Sequence, residues 1–142
     1  MTEGQILLVK RSWNIFREID PFLIGDVFYS KLFFDMPHLE HLFHASREEQ
    51  AKKLVGMLTT IVGRLDHLHE LTEEIKQLAI RHTHYGVKQH HYKAVGTALL
   101  WTLQQGLGSD WNKEVSEAWT ACYQVLSDTM INASGYKNKN AV

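Results

Sequence analysis

The sequence predicts an all-α fold, because its apolar residues recur at intervals of three and four along almost the whole chain. No run of alternating apolar and polar residues lies between turn signals, as a β-strand would require. The two prolines, Pro21 and Pro37, stand where a helix can begin rather than inside one. A chain of 142 residues is long enough for one domain. We expect six or seven helices that cross around a central space.

Two helical segments open the chain. Thr2 and Gln5 form a capping-box pattern at the start of the first helix. Its apolar stripe consists of Ile6, Val9, Trp13 and Phe16. The second helix, about residues 20–35, begins with Asp20 as its cap and Pro21 at its first position. This helix is apolar nearly all round, so we expect it to be buried on most sides.

A short turn after Pro37 separates the second helix from the third. Ser46 and Glu49 form a capping-box pattern at the start of the third helix. Its stripe consists of Leu54, Met57, Leu58, Ile61 and Leu65. The fourth helix follows Leu71 and should stop near Gly86. One face of it carries Ile75, Leu78, Ala79 and His82.

Two long helices complete the predicted core. The stripe of the first consists of Tyr92, Val95, Gly96, Leu99, Leu100, Leu103 and Leu107. The stripe of the second consists of Trp111, Val115, Ala118, Trp119, Cys122, Val125, Leu126, Thr129 and Met130. We therefore expect one domain over residues 1–142, with its core at about 3–133 and a polar tail at 134–142.

The composition excludes several classes of function. Lysine and arginine number 15 against 16 aspartate and glutamate residues, so we expect neither nucleic acid nor membrane as a partner. Cys122 is the one cysteine, which fits a reducing compartment. The first residues lack the apolar core of a signal peptide, and we expect a cytoplasmic protein.

Four of the nine histidines lie between residues 82 and 91. His82 extends an apolar stripe, so its side chain should point inward. An inward histidine is either a core residue hydrogen-bonded to a carbonyl or a metal ligand, and the stripe alone leaves both interpretations open. Tyr92 could hydrogen-bond the second imidazole nitrogen, as the partners of ligating histidines do.

The other histidines carry weaker signals. His84, His90 and His91 should be solvated, and His67 and His69 should lie in a loop. The remaining three recur every third residue at His38, His41 and His44. This spacing allows a zinc site as an alternative, although no acidic or thiolate partner is set by it.

In order along the chain, several segments resemble the globins, and in particular bacterial single-domain haemoglobins and the haem domain of flavohaemoglobins. The resemblance runs from about residue 3 to 133 and begins with Trp13. It continues through "VFYSKLFFDMPHLEHLF", then Gln50 with Leu54, and above all through "RHTHYGVKQHHYKAVG". A globin fold of six to seven helices around a haem pocket is what this resemblance implies.

The resemblance also implies roles for individual residues around haem b. His82 would be the iron ligand, with Tyr92 as its hydrogen-bond partner, and Phe43 would stack on the porphyrin. Lys53 would reach a haem propionate, or else occupy the sixth coordination position. The other expected haem contacts are Leu54, Val87, Val95 and Leu99.

On the opposite side of the haem, Tyr29 and Gln50 would donate hydrogen bonds to a bound gas, and Leu54 would wall the pocket. Gly25 and Ala51 are small, which would let the second and third helices cross closely and hold Tyr29 and Gln50 over one spot. Without the resemblance, Tyr29 would be interpreted as a core aromatic and Gln50 as a solvated residue.

The implied function is tight, reversible binding of dioxygen, with nitric oxide and carbon monoxide as further ligands. Alternatives are a nitric oxide dioxygenase and a haem-based gas or redox sensor. Flavohaemoglobins add a flavin and nicotinamide reductase that is not found before Val142, so an external reductase is an expected partner. The stretch "INASGY" offers Asn132 and Ser134 where the family commonly has a carboxylate, which disfavours peroxidase-like chemistry.

Overall fold

The computed structural model describes residues 1–134, and every regular element in that range is helical. The α-helices are α1 (Glu3–Phe16), α2 (Pro21–Asp35), α3 (Arg47–Gly63), α4 (Thr72–His84), α5 (His91–Leu107) and α6 (Lys113–Ser134). Three 3₁₀ helices span Pro37–Leu42, Leu65–Leu71 and Gly108–Asp110. The predicted all-α fold is confirmed. Most of the tail predicted at 134–142 lies outside the described residues.

The helix starts follow the predicted caps. The Thr2 hydroxyl accepts from the Gln5 N–H at 3.0 Å, and the Gln5 side chain accepts from the Thr2 N–H at 3.0 Å. Asp20 precedes Pro21, the first residue of α2, and its carboxylate accepts a hydrogen bond from the Phe22 N–H at 2.9 Å. These bonds satisfy backbone donors that the first turn of a helix leaves unpaired.

The structure corrects the prediction for residues 65–71, where a loop was expected around His67 and His69. This segment forms a 3₁₀ helix with a kink at His67, whose φ is −131°. Leu65 and Leu71 are buried at its two ends, and burial of these side chains holds the segment against the core. The predicted end of α4 is confirmed, because Gly86 follows it with a φ of 93°.

A second correction concerns α2, which is less enclosed than its composition predicts. Ile24, Phe28 and Leu32 are buried against α3 and α5. On the outer face, however, Leu23 is exposed and Phe34 is 81% exposed. The described elements that pack most on α2 are α3, α5 and the Pro37–Leu42 helix, and they leave these two side chains in solvent.

The first and last helices form the base of the fold. Trp13 and Trp119 are almost fully buried, with ring centroids 6.0 Å apart. The indole N–H of Trp119 donates to the Ser12 hydroxyl at 2.8 Å, and that hydroxyl donates to the Leu8 carbonyl at 2.7 Å. The buried polar atoms are thereby paired, as burial requires. Within residues 1–134, the helices are too short or too polar for any of them to cross a membrane.

The close crossing of α2 and α3 is the feature that positions the candidate site. A Cβ added at Gly25 would lie 2.2 Å from the Ala51 Cβ and 3.0 Å from the Ala51 Cα. Ala51 is itself fully buried. The close approach that the two small residues predicted is therefore confirmed.

We expect Gly25→Ala to lower the free energy of unfolding by about 1–3 kcal/mol, because the new methyl group overlaps Ala51. Gly56→Ala is the matched control in α3: no atom lies within 4 Å of the added Cβ, and the change should stabilise by about 0.5–1 kcal/mol. Urea denaturation measures both. Adding Ala51→Gly should recover part of the loss, and equal effects of the two glycine substitutions would contradict the crossing.

Candidate functional site

Tyr29 forms the centre of one side of the site. It is buried in α2, and its hydroxyl donates to the backbone carbonyl of Gln50 in α3 at 3.3 Å. Its ring meets Phe43 edge to face, with centroids 5.4 Å apart. The structure thus brings Tyr29 into contact with Phe43 and with the backbone of Gln50. The Gln50 side chain is half-buried.

Two further residues belong to this side, and neither was singled out from the sequence. Phe33 stacks on Tyr29 at 5.9 Å and meets Phe43 at 5.3 Å. The Arg47 guanidinium lies 5.7 Å from the Phe33 ring centroid and hydrogen-bonds Asp26 at 3.2 Å. Phe33 follows Tyr29 by one helical turn, and this spacing is the signal that could have identified it.

Burial keeps the Tyr29 phenol protonated. Desolvation raises the pKa of Tyr29 to about 12, against a smaller opposing effect of the Arg47 charge. At neutral pH the hydroxyl is therefore a hydrogen-bond donor. Its single proton is directed at the Gln50 carbonyl over a long distance of 3.3 Å.

His82 lies in the last turn of α4 and is half-buried. Its Nδ1–H donates to the Leu78 carbonyl at 2.8 Å. A carbonyl oxygen can only accept a hydrogen bond, so the proton of the neutral imidazole lies on Nδ1. The Nε2 atom then carries the lone pair that can bind a metal. Desolvation lowers the pKa of His82, opposed by the bond to Leu78 and assisted by the Arg81 charge. The imidazole is therefore neutral at physiological pH.

This bond corrects the partner predicted for His82. Tyr92 was expected to hydrogen-bond the second imidazole nitrogen, but the one Nδ1–H bonds to the carbonyl four residues earlier in the same helix. Tyr92 is buried in α5, and its backbone carbonyl accepts from the Tyr123 hydroxyl of α6. The periodicity places His82 inward but does not distinguish a side-chain partner from a backbone one.

The remaining expected contacts divide between two apolar clusters in the described core. Phe43, Leu54, Val95 and Leu99 pack in the cluster that contains Tyr29. Val87 and Tyr92 pack in a second cluster, to which α4 and α6 contribute most of the buried side chains. Met57 packs against both clusters. Lys53 is exposed.

The residues present fit a haem. A flat apolar ring system would cover the half-buried surfaces of Phe43, Leu54, Val87 and Val95, which the protein's own side chains leave partly open. His82 supplies the neutral nitrogen donor that haem iron requires. The zinc alternative gains no support, since no three metal-binding side chains are grouped among residues 1–134.

His91 was expected to be solvated, and this prediction is wrong. It is only 6% exposed, because its ring folds back over the corner before α5 and accepts the Lys88 N–H on Nδ1 at 3.0 Å. Desolvation lowers the pKa of His91, and the neighbouring His90, His38 and Lys88 act in the same direction. His84 and His90 are exposed, as predicted.

Comparison with known proteins gives one family and a consistent set of relatives. The family model described as Globin matches residues 27–130. A flavohemoprotein of Vibrio cholerae is 28% identical over 138 residues, which is 95% of this chain and 35% of that protein. The chain thus spans about a third of the length of the flavohemoproteins it matches.

Solved structures show the same fold. A bacterial globin from Campylobacter jejuni has a TM-score of 0.83 and 23% identity, with 97% of this chain and 99% of that chain covered. An engineered carbene transferase, made from a proposed nitric oxide dioxygenase of Rhodothermus marinus, has a TM-score of 0.86 and 23% identity. The match covers 99% of this chain and 98% of that chain.

We expect His91→Asn to reduce the pH dependence of stability. A buried neutral histidine with a lowered pKa stabilises fully above the unfolded-state value of 6.5, and this contribution is lost as the pH falls towards the folded-state value. Asparagine keeps an acceptor for the Lys88 N–H but does not titrate.

Urea denaturation between pH 7.5 and 5 measures the effect. The slope of unfolding free energy against pH should decrease by at most about 1.4 kcal/mol per pH unit, the contribution of one proton. His84→Asn, at an exposed position, serves as the control. Parallel curves for the wild type and His91→Asn would contradict the assignment.

Proposed function

Because this chain belongs to the globin family, we propose that it binds haem b between the two apolar clusters and reversibly binds dioxygen, with nitric oxide and carbon monoxide as alternative ligands. One observation carries the proposal: a neutral, oriented His82 on α4 and a buried, protonated Tyr29 beside Gln50 are separate donor groups, one for a metal and one for its ligand. Haem would supply a ferrous iron with one open coordination position.

His82 would hold the iron through Nε2. The Leu78 carbonyl fixes the tautomer and the plane of the imidazole. A neutral carbonyl polarises the ring less than a carboxylate would, so His82 donates less electron density than a carboxylate-paired histidine. This favours reversible ligand binding over peroxidase-like chemistry.

Tyr29 would supply the hydrogen bond that retains dioxygen. The O–H bond to the Gln50 carbonyl is long, so little is lost when the proton turns towards a ligand with partial negative charge. The aromatic cluster of Phe28, Phe33 and Phe43 holds the Tyr29 ring in place. Gln50 and Leu54 would complete this side. We therefore expect slow release of dioxygen.

A second candidate is dioxygenation of nitric oxide to nitrate. It is favoured by the relatives, which are flavohemoproteins, and by the structural likeness to the Rhodothermus marinus protein. Repeated turnover requires electrons from a reductase, which we propose as a partner protein. We propose a cytoplasmic location, because Cys122 is the one cysteine of the sequence and is free, which fits a reducing compartment.

We expect His82→Gly to abolish firm haem binding. The variant loses the one bond that the protein would make to iron, so its haem should transfer to an acceptor apoprotein more than about tenfold faster. Loss of a mere hydrogen-bond partner of a metal ligand already lowers metal affinity by about tenfold or more. Added imidazole should restore the spectrum of the reduced protein. His84→Gly in the same helical turn is the control, and equal haem retention by His82→Gly and the wild type would disprove the assignment.

We expect Tyr29→Phe to accelerate dioxygen dissociation by about tenfold or more, the effect of losing a hydrogen bond to a charged acceptor. Stopped-flow mixing of the oxygenated protein with carbon monoxide measures the rate. Carbon monoxide is a weak acceptor, so its own dissociation should change much less. Tyr85→Phe, which alters an exposed tyrosine, is the control, and an unchanged dioxygen rate in Tyr29→Phe would contradict the role of the phenol.

A further inference from the structure

The acidic residues of this chain are unevenly distributed. None of the 16 aspartate and glutamate residues lies between positions 75 and 109, although the net charge of the whole chain is only −1. The same segment contains Lys76, Arg81, Lys88 and Lys93. The near-neutral total therefore conceals a basic segment, and that segment includes His82.

The fold gathers three of these charges, those of Arg81, Lys88 and Lys93, at the corner between α4 and α5. Six exposed side chains form this surface, which we call the basic corner: Arg81, His84, Tyr85, Lys88, His90 and Lys93. They come from the last turn of α4, the connecting residues and the first turn of α5. A helix corner keeps such residues close in space as well as in sequence.

The charges of the basic corner are not neutralised by ion pairs within the described part of the chain. There, the lysines and arginines that form ion pairs are Lys10, Lys31, Arg47, Lys52 and Arg64. On α6, Asp128 lines the same groove as His90 and Lys93, and its one negative charge offsets only one of the three lysine and arginine charges of the corner. The corner therefore presents net positive charge to a partner within a Debye length.

The basic corner also lies directly over the expected iron ligand. Tyr85 is 56% exposed, and its ring meets the His82 ring edge to face at 6.1 Å. A protein docked on this surface would therefore come within a few side chains of His82. The patch is too small, and the chain too nearly neutral, for a nucleic-acid site.

We propose that the basic corner is the docking surface for an acidic one-electron carrier protein with a flavin or iron–sulfur group. This inference rests on the proposed function. One electron passes from the reduced carrier to ferric haem iron, which becomes ferrous, while the carrier is oxidised by one electron. No bond forms or breaks, and no proton is required. Charge complementarity orients the encounter and raises its rate.

The test compares two double variants with the same change of charge. Lys88→Glu/Lys93→Glu alters the basic corner, and Arg17→Glu/Lys113→Glu is the control. Phe16, beside Arg17, lies against Gly106 at the other end of α5, about 22 Å from His91 along the helix. Lys93 and Lys113 each lie in the first turn of a helix, so these two substitutions perturb their helices similarly.

The probe is flavodoxin, an acidic flavoprotein, and two readouts are used. Stopped-flow absorbance follows reduction of the ferric protein by photoreduced flavodoxin between 20 and 300 mM salt, and calorimetry measures binding of oxidised flavodoxin to the ferric protein. For the wild type we expect the rate to fall about tenfold or more over this range. Lys88→Glu/Lys93→Glu should be at least about tenfold slower at low salt and should bind correspondingly more weakly. The control should stay within about twofold of the wild type.

Other outcomes overturn the docking surface without affecting the proposed function. Photoreduced riboflavin, which has no protein surface, should reduce all three proteins at similar rates, and uptake of haemin with a normal carbon monoxide spectrum verifies the haem site independently. The docking role of the basic corner would be refuted if the wild-type reduction rate did not depend on salt. It would also be refuted if both double variants lost the same reduction rate and flavodoxin affinity. Loss of binding to anionic phospholipid vesicles, with flavodoxin reduction unchanged, would assign the surface to a membrane instead.

Discussion

The contact between Gly25 and Ala51 is the constraint on which the candidate site depends. No side chain larger than hydrogen fits at position 25 while Ala51 lies 2.2 Å from the place of its Cβ. This approach determines how closely α2 and α3 cross, and therefore where the Tyr29 hydroxyl meets the Gln50 backbone. The geometry of one side of the site is thus determined four residues away from Tyr29 by the absence of a side chain.

Both sides of the site use a single proton held by a backbone carbonyl. The Tyr29 hydroxyl donates to Gln50, and the His82 Nδ1–H donates to Leu78. The two bonds have different consequences. At 2.8 Å the histidine bond holds the ring in one tautomer, whereas at 3.3 Å the tyrosine bond is weak enough to be exchanged for a ligand. A rigid group for the metal and an adjustable one for the ligand is the combination that reversible binding requires.

Electrostatics divide the surface in a way that the net charge does not indicate. All 16 acidic residues lie outside the segment of residues 75–109 that carries His82, and five of them are paired with lysines or arginines. Of the lysines and arginines that form no ion pair within residues 1–134, three lie together at the α4–α5 corner: Arg81, Lys88 and Lys93. At this corner the backbone N–H of Lys88 donates a hydrogen bond to the ring of the buried His91, and this bond stabilises the conformation of the connecting residues.

The sequence by itself determined the helical fold, the caps at Thr2, Asp20 and Ser46, and the inward direction of His82, because each depends on spacing or on contacts within one turn. It also indicated that Gly25 and Ala51 meet. The bond from His82 to Leu78 lies within one helical turn, but the apolar stripe did not distinguish this backbone partner from the Tyr92 side chain. Only the tertiary structure decided that His91 is buried and that Phe34 is exposed. The contact of Arg47 in α3 with Phe33 in α2 was likewise decided by tertiary packing. These outcomes depend on which elements pack against each face, and a local pattern does not contain that information.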